Sequence, residues 1–118
     1  MGNVIEEKSF EFAVRIVNLC NYLRTEKKEV IMSNQLLRCG TSIGANVFEA
    51  EKAQTTPDFY SKMTIALKEA NETSYWIRLL YRTKYIEDKE FDSIYKDVDE
   101  ICSILVAITK TTKKKISE

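Results

Sequence analysis

Phe91-Asp92-Ser93-Ile94-Tyr95-Lys96-Asp97-Val98-Asp99-Glu100-Ile101-Cys102-Ser103-Ile104-Leu105-Val106-Ala107-Ile108 is the stretch that decides the fold class. Its apolar positions 91, 94, 98, 101, 105 and 108 alternate by three and four, the seam of a helix lying in a bundle. Asp88 stands where a helix N-cap belongs, so a helix is predicted over about 88–112.

Working back along the chain, Thr55-Thr56-Pro57-Asp58 marks the sharpest boundary. Thr56 is read as an N-cap, Pro57 as the first helical residue, and Asp58 as an acid favoured by the positive end of the helix dipole. From there Phe59, Met63, Ala66, Leu67, Ala70, Ile77 and Leu80 keep helical spacing, predicting a helix over about 57–84. Before the boundary, Leu36, Gly40, Ile43, Gly44, Val47 and Ala50 stripe a helix over about 29–52. A first helix over about 9–24 opens at Ser9, read as its cap. It carries two apolar stripes: Phe10, Ala13, Val14, Val17 and Cys20, and beside them Phe12, Ile16, Leu19 and Leu23. Two stripes exceed what one buried face requires. Short links make consecutive helices antiparallel. The expectation is an all-α, up-down-up-down four-helix bundle forming a single domain over 1–118.

Composition agrees. Three glycines and one proline in 118 residues are too few for the turns of a strand-rich fold. Eighteen basic and eighteen acidic residues leave no net charge, unlike a strongly basic nucleic-acid binder. The charge is unevenly spread. Residues 84–100 hold three lysines against seven acids, and residues 110–118 hold Lys110, Lys113, Lys114 and Lys115 against Glu118. That tail reads as a frayed helix end complementing the dipole, or as a phosphate contact. Cys20, Cys39 and Cys102 show no paired spacing, which suggests neither disulfides nor zinc and fits reduced thiols in a cytoplasmic protein. The N-terminal stretch lacks the basic-then-apolar order of a leader, and no apolar run is long enough for a membrane span.

The chain has no histidine. Ser-His-Asp and Cys-His catalysis are therefore absent, as is the Glu-x-x-His motif of di-iron bundles. Gly40-Thr41-Ser42-Ile43-Gly44 lacks the lysine and spacing of a phosphate loop. No catalytic residue, metal ligand or cofactor is predicted.

Three constellations remain. Gly40 and Gly44, one turn apart, cost helix stability, so they mark either a close helix contact or a kink. Arg38, Ser42, Asn46 and Glu49, with Gln35, line one edge of the second helix, and Lys62, Glu69 and Glu72 one edge of the third. They form an inter-helix or inter-subunit network, with Arg38 forking onto Glu69 or Glu72, or a carboxylate pair able to hold a cation. The third is aromatic: Tyr75, Tyr81 and Tyr85, with Trp76, Arg78 and Arg82, suit either a protein interface or stacking on nucleotides.

The second and third helices also carry a resemblance. Residues 35–47, with Glu49-Ala50, and Phe59, Lys62, Ile65-Ala66-Leu67-Lys68-Glu69-Ala70, Glu72-Thr73 and Tyr75-Trp76 are similar to the two halves of a family signature. Lys8-Ser9-Phe10 through Ala13-Val14-Arg15-Ile16-Val17 agrees with it. The chain resembles the four-helix bundle proteins encoded in intervening sequences of bacterial 23S ribosomal RNA genes. The resemblance implies a homo-oligomeric ring, typically a pentamer. Phe12, Ile16, Leu19, Tyr75, Trp76 and Leu79 are then the candidate contacts between copies. It also relates the chain to the accessory ring protein of diversity-generating retroelements, which is strongly basic where this chain is neutral. The expected partners are a second copy of the chain and an unidentified protein or RNA, with no membrane. RNA contacts would fall to Arg78, Arg82, Lys113, Lys114 and Lys115.

Overall fold

In the computed structural model, which describes residues 3–118, four helices succeed one another: α1 (Val4–Thr25), α2 (Ile31–Ala50), α3 (Thr56–Arg82) and α4 (Asp88–Ser117). Met1 and Gly2, part of the stretch read for a leader, lie outside the described residues. The seam that begins at Phe91 turns inward, with Ile94, Val98, Ile101 and Leu105 buried and Phe91 and Ile108 packed against them. Sequence neighbours pack side by side and α4 returns to α1, so the section is a square with cyclic helix order. Cross-links confirm antiparallel register. Lys8 meets Glu100 while Arg15 meets Glu90 and Asp97; Tyr81 meets Asp88 while Ser74 meets Tyr95. The bundle measures 50 × 22 × 21 Å.

The α1 register corrects the sequence reading. The helix begins five residues before Ser9, which sits mid-helix and buried, its hydroxyl donating to the Glu6 carbonyl. The inward stripe is Ile5, Ser9, Phe12, Ile16, Leu19 and Leu23, spaced by three and four. Phe12, Ile16 and Leu19, read as contacts between copies, are thus core residues of the protomer. The outward apolar residues are Phe10, Val14 and Val17.

α2 starts two residues later than expected because Glu29 caps it. The Glu29 carboxylate accepts from the backbone N–H groups of Met32 (2.9 Å) and Ser33 (2.8 Å), satisfying two orphan donors of the first turn. α3 is capped by Thr55 rather than Thr56, the Thr55 Oγ1 accepting from Asp58 N–H. α4 runs to Ser117, so its lysine tail is helical rather than frayed.

The end of α3 closes in a Schellman arrangement: Tyr85 N–H reaches the Leu80 carbonyl and Lys84 N–H that of Tyr81. This needs Lys84 at φ 70°, where an L side chain is strained. Lys84→Gly is expected to raise unfolding stability by about 1 kcal/mol, read from denaturant midpoints at unchanged slope. A drop in stability would show that the lysine side chain matters more than its backbone strain.

Candidate functional site

Four groups of side chains were singled out, and the fold treats each differently. Gly40 and Gly44 lie where α2 crosses α1. A Cβ built on Gly40 would stand 2.9 Å from the Ile16 side chain, and one on Gly44 3.1 Å from the Ser9 carbonyl oxygen. The helix continues through both glycines without a break. Ser9 is small for the same reason: it leaves room for α2 to approach.

The polar edge divides into two inter-helix links. Arg38 forks across to α3, one arm donating to Glu69 (3.2 Å) and the other to Glu72, whose carboxylate also accepts from Trp76 Nε1–H (3.1 Å). Arg38 and Trp76 together hold the Glu72 carboxyl below its ordinary range. In the last turn of α2, Glu49 meets Lys62 at 2.9 Å. Ser42 and Asn46 do not join: both bond backward to carbonyls of their own helix, at Arg38 and Ser42. These links are largely exposed, so their worth is in register rather than stability. Among the described residues, no group of three or more Cys, Asp or Glu is placed to hold a metal ion.

Two groups of exposed apolar residues flank α2, while Val4, Tyr22, Val30, Ile31, Val106 and Ile116 are exposed elsewhere on the bundle. On the α1 side, Phe10, Val14 and Val17 are 65%, 42% and 41% exposed, and Phe48 is 54% exposed. Phe10, Gly44 and Phe48 share a cleft of about 560 Å³. On the α3 side, Ile65, Tyr75 and partly buried Trp76 and Leu79 face outward, Tyr75 lying edge-on to Trp76 at 5.1 Å. Nothing in the α1 stripe pattern alone distinguished the inward set from the outward one. Side-chain bulk did not separate them either, since Phe10 is as large as Phe12 yet 65% exposed, and Cys20 of the same stripe is buried.

The basic residues read as one RNA surface are not together. Arg78 and Arg82 lie near the end of α3, beside the start of α4, whereas Lys113, Lys114 and Lys115 close α4. The separation along the bundle is roughly 35 Å at 1.5 Å per residue.

The thiols are quiet. Burial pushes the Cys20 thiol up to about 11 and raises Cys39 as well; Cys102, partly exposed, is also raised by burial. A raised thiol pKa means the folded state holds its proton more tightly. The Cys20 contribution is therefore complete below its ordinary value of 9.0 and is lost as pH climbs towards about 11. Thiol labelling of the native protein at pH 8 is expected to reach Cys102 first, with Cys20 and Cys39 following only as the fold opens. Equal rates at all three would contradict this packing.

A square antiparallel bundle with an apolar core and inter-helix ion pairs belongs to the class of small all-α four-helix bundle proteins. The chain matches the 23S rRNA-intervening sequence proteins over residues 3–107, and it belongs to that family. It is similar to a protein of unknown function from the S23 ribosomal protein family of Bacteroides thetaiotaomicron VPI-5482, known from a 1.70 Å crystal structure. The two are 57% identical with a TM-score of 0.90, over 92% of this chain and 96% of that one. None of the curated proteins matches it. No described helix is long and apolar enough to cross a membrane.

Proposed function

We propose that the chain is a non-enzymatic scaffold that closes into a ring of identical subunits and presents its outer surface to a partner. The observation that carries this is the pair of unlike apolar patches on either side of α2: Phe10, Val14, Val17 and Phe48 on one, Ile65, Trp76 and Leu79 on the other. Three of the residues first assigned to the contact, Phe12, Ile16 and Leu19, are replaced by Phe10, Val14 and Val17 for the reason given above.

An isologous dimer needs one self-complementary patch; two different patches suit a head-to-tail contact, which forms a ring when its rotation closes. Adjacent sides of a square section meet at about a right angle, and protomers joined at about 90–110° close with four or five members. A right angle closes with four members, and opening it to about 108° gives the pentamer that the family resemblance implies. Burying the two patches also removes apolar surface that an isolated protomer leaves in water. In such a ring α2 faces the axis and α4, with its acidic first half and basic end, lies on the rim.

Light scattering at micromolar concentration is expected to give several times the 13.7 kDa of one chain, and Phe10→Glu with Val14→Glu to return it to the mass of one. A wild-type protein that stays monomeric overturns the proposal.

A further inference from the structure

Five arginines occur in the chain, and three are engaged. Arg15 forks onto Glu90 and Asp97, Arg38 onto Glu69 and Glu72, and Arg24 donates to Asn34. Arg78 and Arg82 have no side-chain partner among the described residues, yet they stand one turn apart on the same face of α3. Like charges at that spacing repel, a cost that an anion between them relieves.

Both arginines line a cavity of about 420 Å³, together with Tyr75, Leu79, Tyr81 and Phe91. No carboxylate lines it. Tyr81 and Arg82 also border a neighbouring cavity whose lining includes Glu87 and Asp88; the Asp88 carboxylate, which accepts from the Tyr81 hydroxyl at 2.8 Å, lies on that side and not in the Arg78–Arg82 cavity. The aromatic wall is preformed: Tyr81 stacks on Phe91 with ring centroids 4.0 Å apart, and Phe91 on Tyr95 at 5.1 Å. Tyr75, at the mouth, is 56% exposed. The cavity lies between α3 and α4, on a side of the square not used by the ring contacts, with Tyr75 and Leu79 at the shared corner.

We infer that the Arg78–Arg82 cavity binds a nucleotide unit, a planar base stacked on its tyrosines with its phosphate between the two guanidinium groups. Guanidinium forks match phosphate oxygens, and ring faces take any base, so the recognition is of backbone charge and stacking rather than of sequence. Adjacent arginines one turn apart, about 6 Å, also suit successive phosphates of a single strand. The lysines at the far end of α4 have no part in it.

The experiment uses the full-length protein. Trp76 is the one tryptophan and touches Tyr75, so its fluorescence reports on the cavity mouth. It is titrated with single-stranded U12 RNA and, separately, with UMP; anisotropy of labelled U12 gives the affinity. R78Q/R82Q is expected to weaken U12 binding at least tenfold, and K113Q/K114Q/K115Q to leave it within about twofold, circular dichroism showing both variants folded. Affinity for U12 is expected to fall with salt at a log–log slope of about −0.7 if one phosphate sits between the two guanidinium groups and about −1.4 if two successive phosphates are held. Binding of UMP alone would identify a free nucleotide as sufficient, and binding of U12 alone a strand; either supports the site. No binding of either, unchanged affinity in R78Q/R82Q, loss in the lysine variant, or equal competition by polyglutamate overturns it.

Discussion

Gly44→Leu is expected to destabilise the protomer by about 2–3 kcal/mol, measured by chemical or thermal unfolding. The reason is geometric. A Cβ at position 44 would already lie 3.1 Å from the Ser9 carbonyl oxygen, tighter than ordinary van der Waals contact, and that oxygen belongs to the backbone. It cannot rotate aside as a side chain would. The strain therefore falls on the Cβ itself, at the Ser9 backbone, while the three further carbons must turn into the cleft beside Phe10 and Phe48. Gly44→Ala is the informative companion. Alanine gains about 1 kcal/mol of helix propensity and loses a comparable amount to crowding, so it should fall near neutral. If Gly44→Leu melts like the wild type, the two helices do not approach as described.

The second large effect separates core from surface on one helix. Ile16 is fully buried and meets Gly40, so Ile16→Ala should cost about 3 kcal/mol, the transfer of the lost carbons plus the cavity they leave. Val14, two residues away and 42% exposed, is expected to change protomer stability by less than about 0.5 kcal/mol as alanine. Unfolding should be followed at several protein concentrations, because a self-associating chain gains stability by mass action and Val14 lies in the proposed contact. Equal costs at the two positions would mean that α1 is rotated from its described face.

Much of this fold was legible beforehand. The 91–108 seam became the buried face of α4 with no change of register, because its six apolar positions hold one three-and-four spacing throughout, while Tyr95 and Ile104 only flank it and Val106 is exposed. α1 was not legible in the same way. Its two adjacent stripes satisfy the helical period equally well, and periodicity alone does not say which one faces inward. Ser9 compounded the difficulty: serine is a common cap, and its use here as a small residue beneath an approaching helix depends on Gly44, thirty-five residues away. The caps slipped by one or two residues for a related reason. Glu29 reaches its acceptor position from outside the helix, and Thr55 and Thr56 are chemically interchangeable as caps. At the candidate sites, the residue types of the Arg38 fork were readable from spacing, but whether Ser42 and Asn46 turn outward or back to their own backbone was not. Nor did linear order show that Arg82 and Lys113 belong to opposite ends, since that follows only once α4 runs antiparallel to α3.

The α1–α4 seam is the thinnest side of the square, closed by Lys8–Glu100 and by the Arg15 fork rather than by extensive packing. Among the described residues it is also the only side that joins elements remote in the chain, since every other helix pairing is between consecutive helices. Chain-closure entropy therefore falls almost wholly on this one contact, and the three hairpin-like pairings can assemble locally before it forms. A nascent chain leaving the ribosome can thus fold helix upon helix as it emerges, docking its last helix at the end.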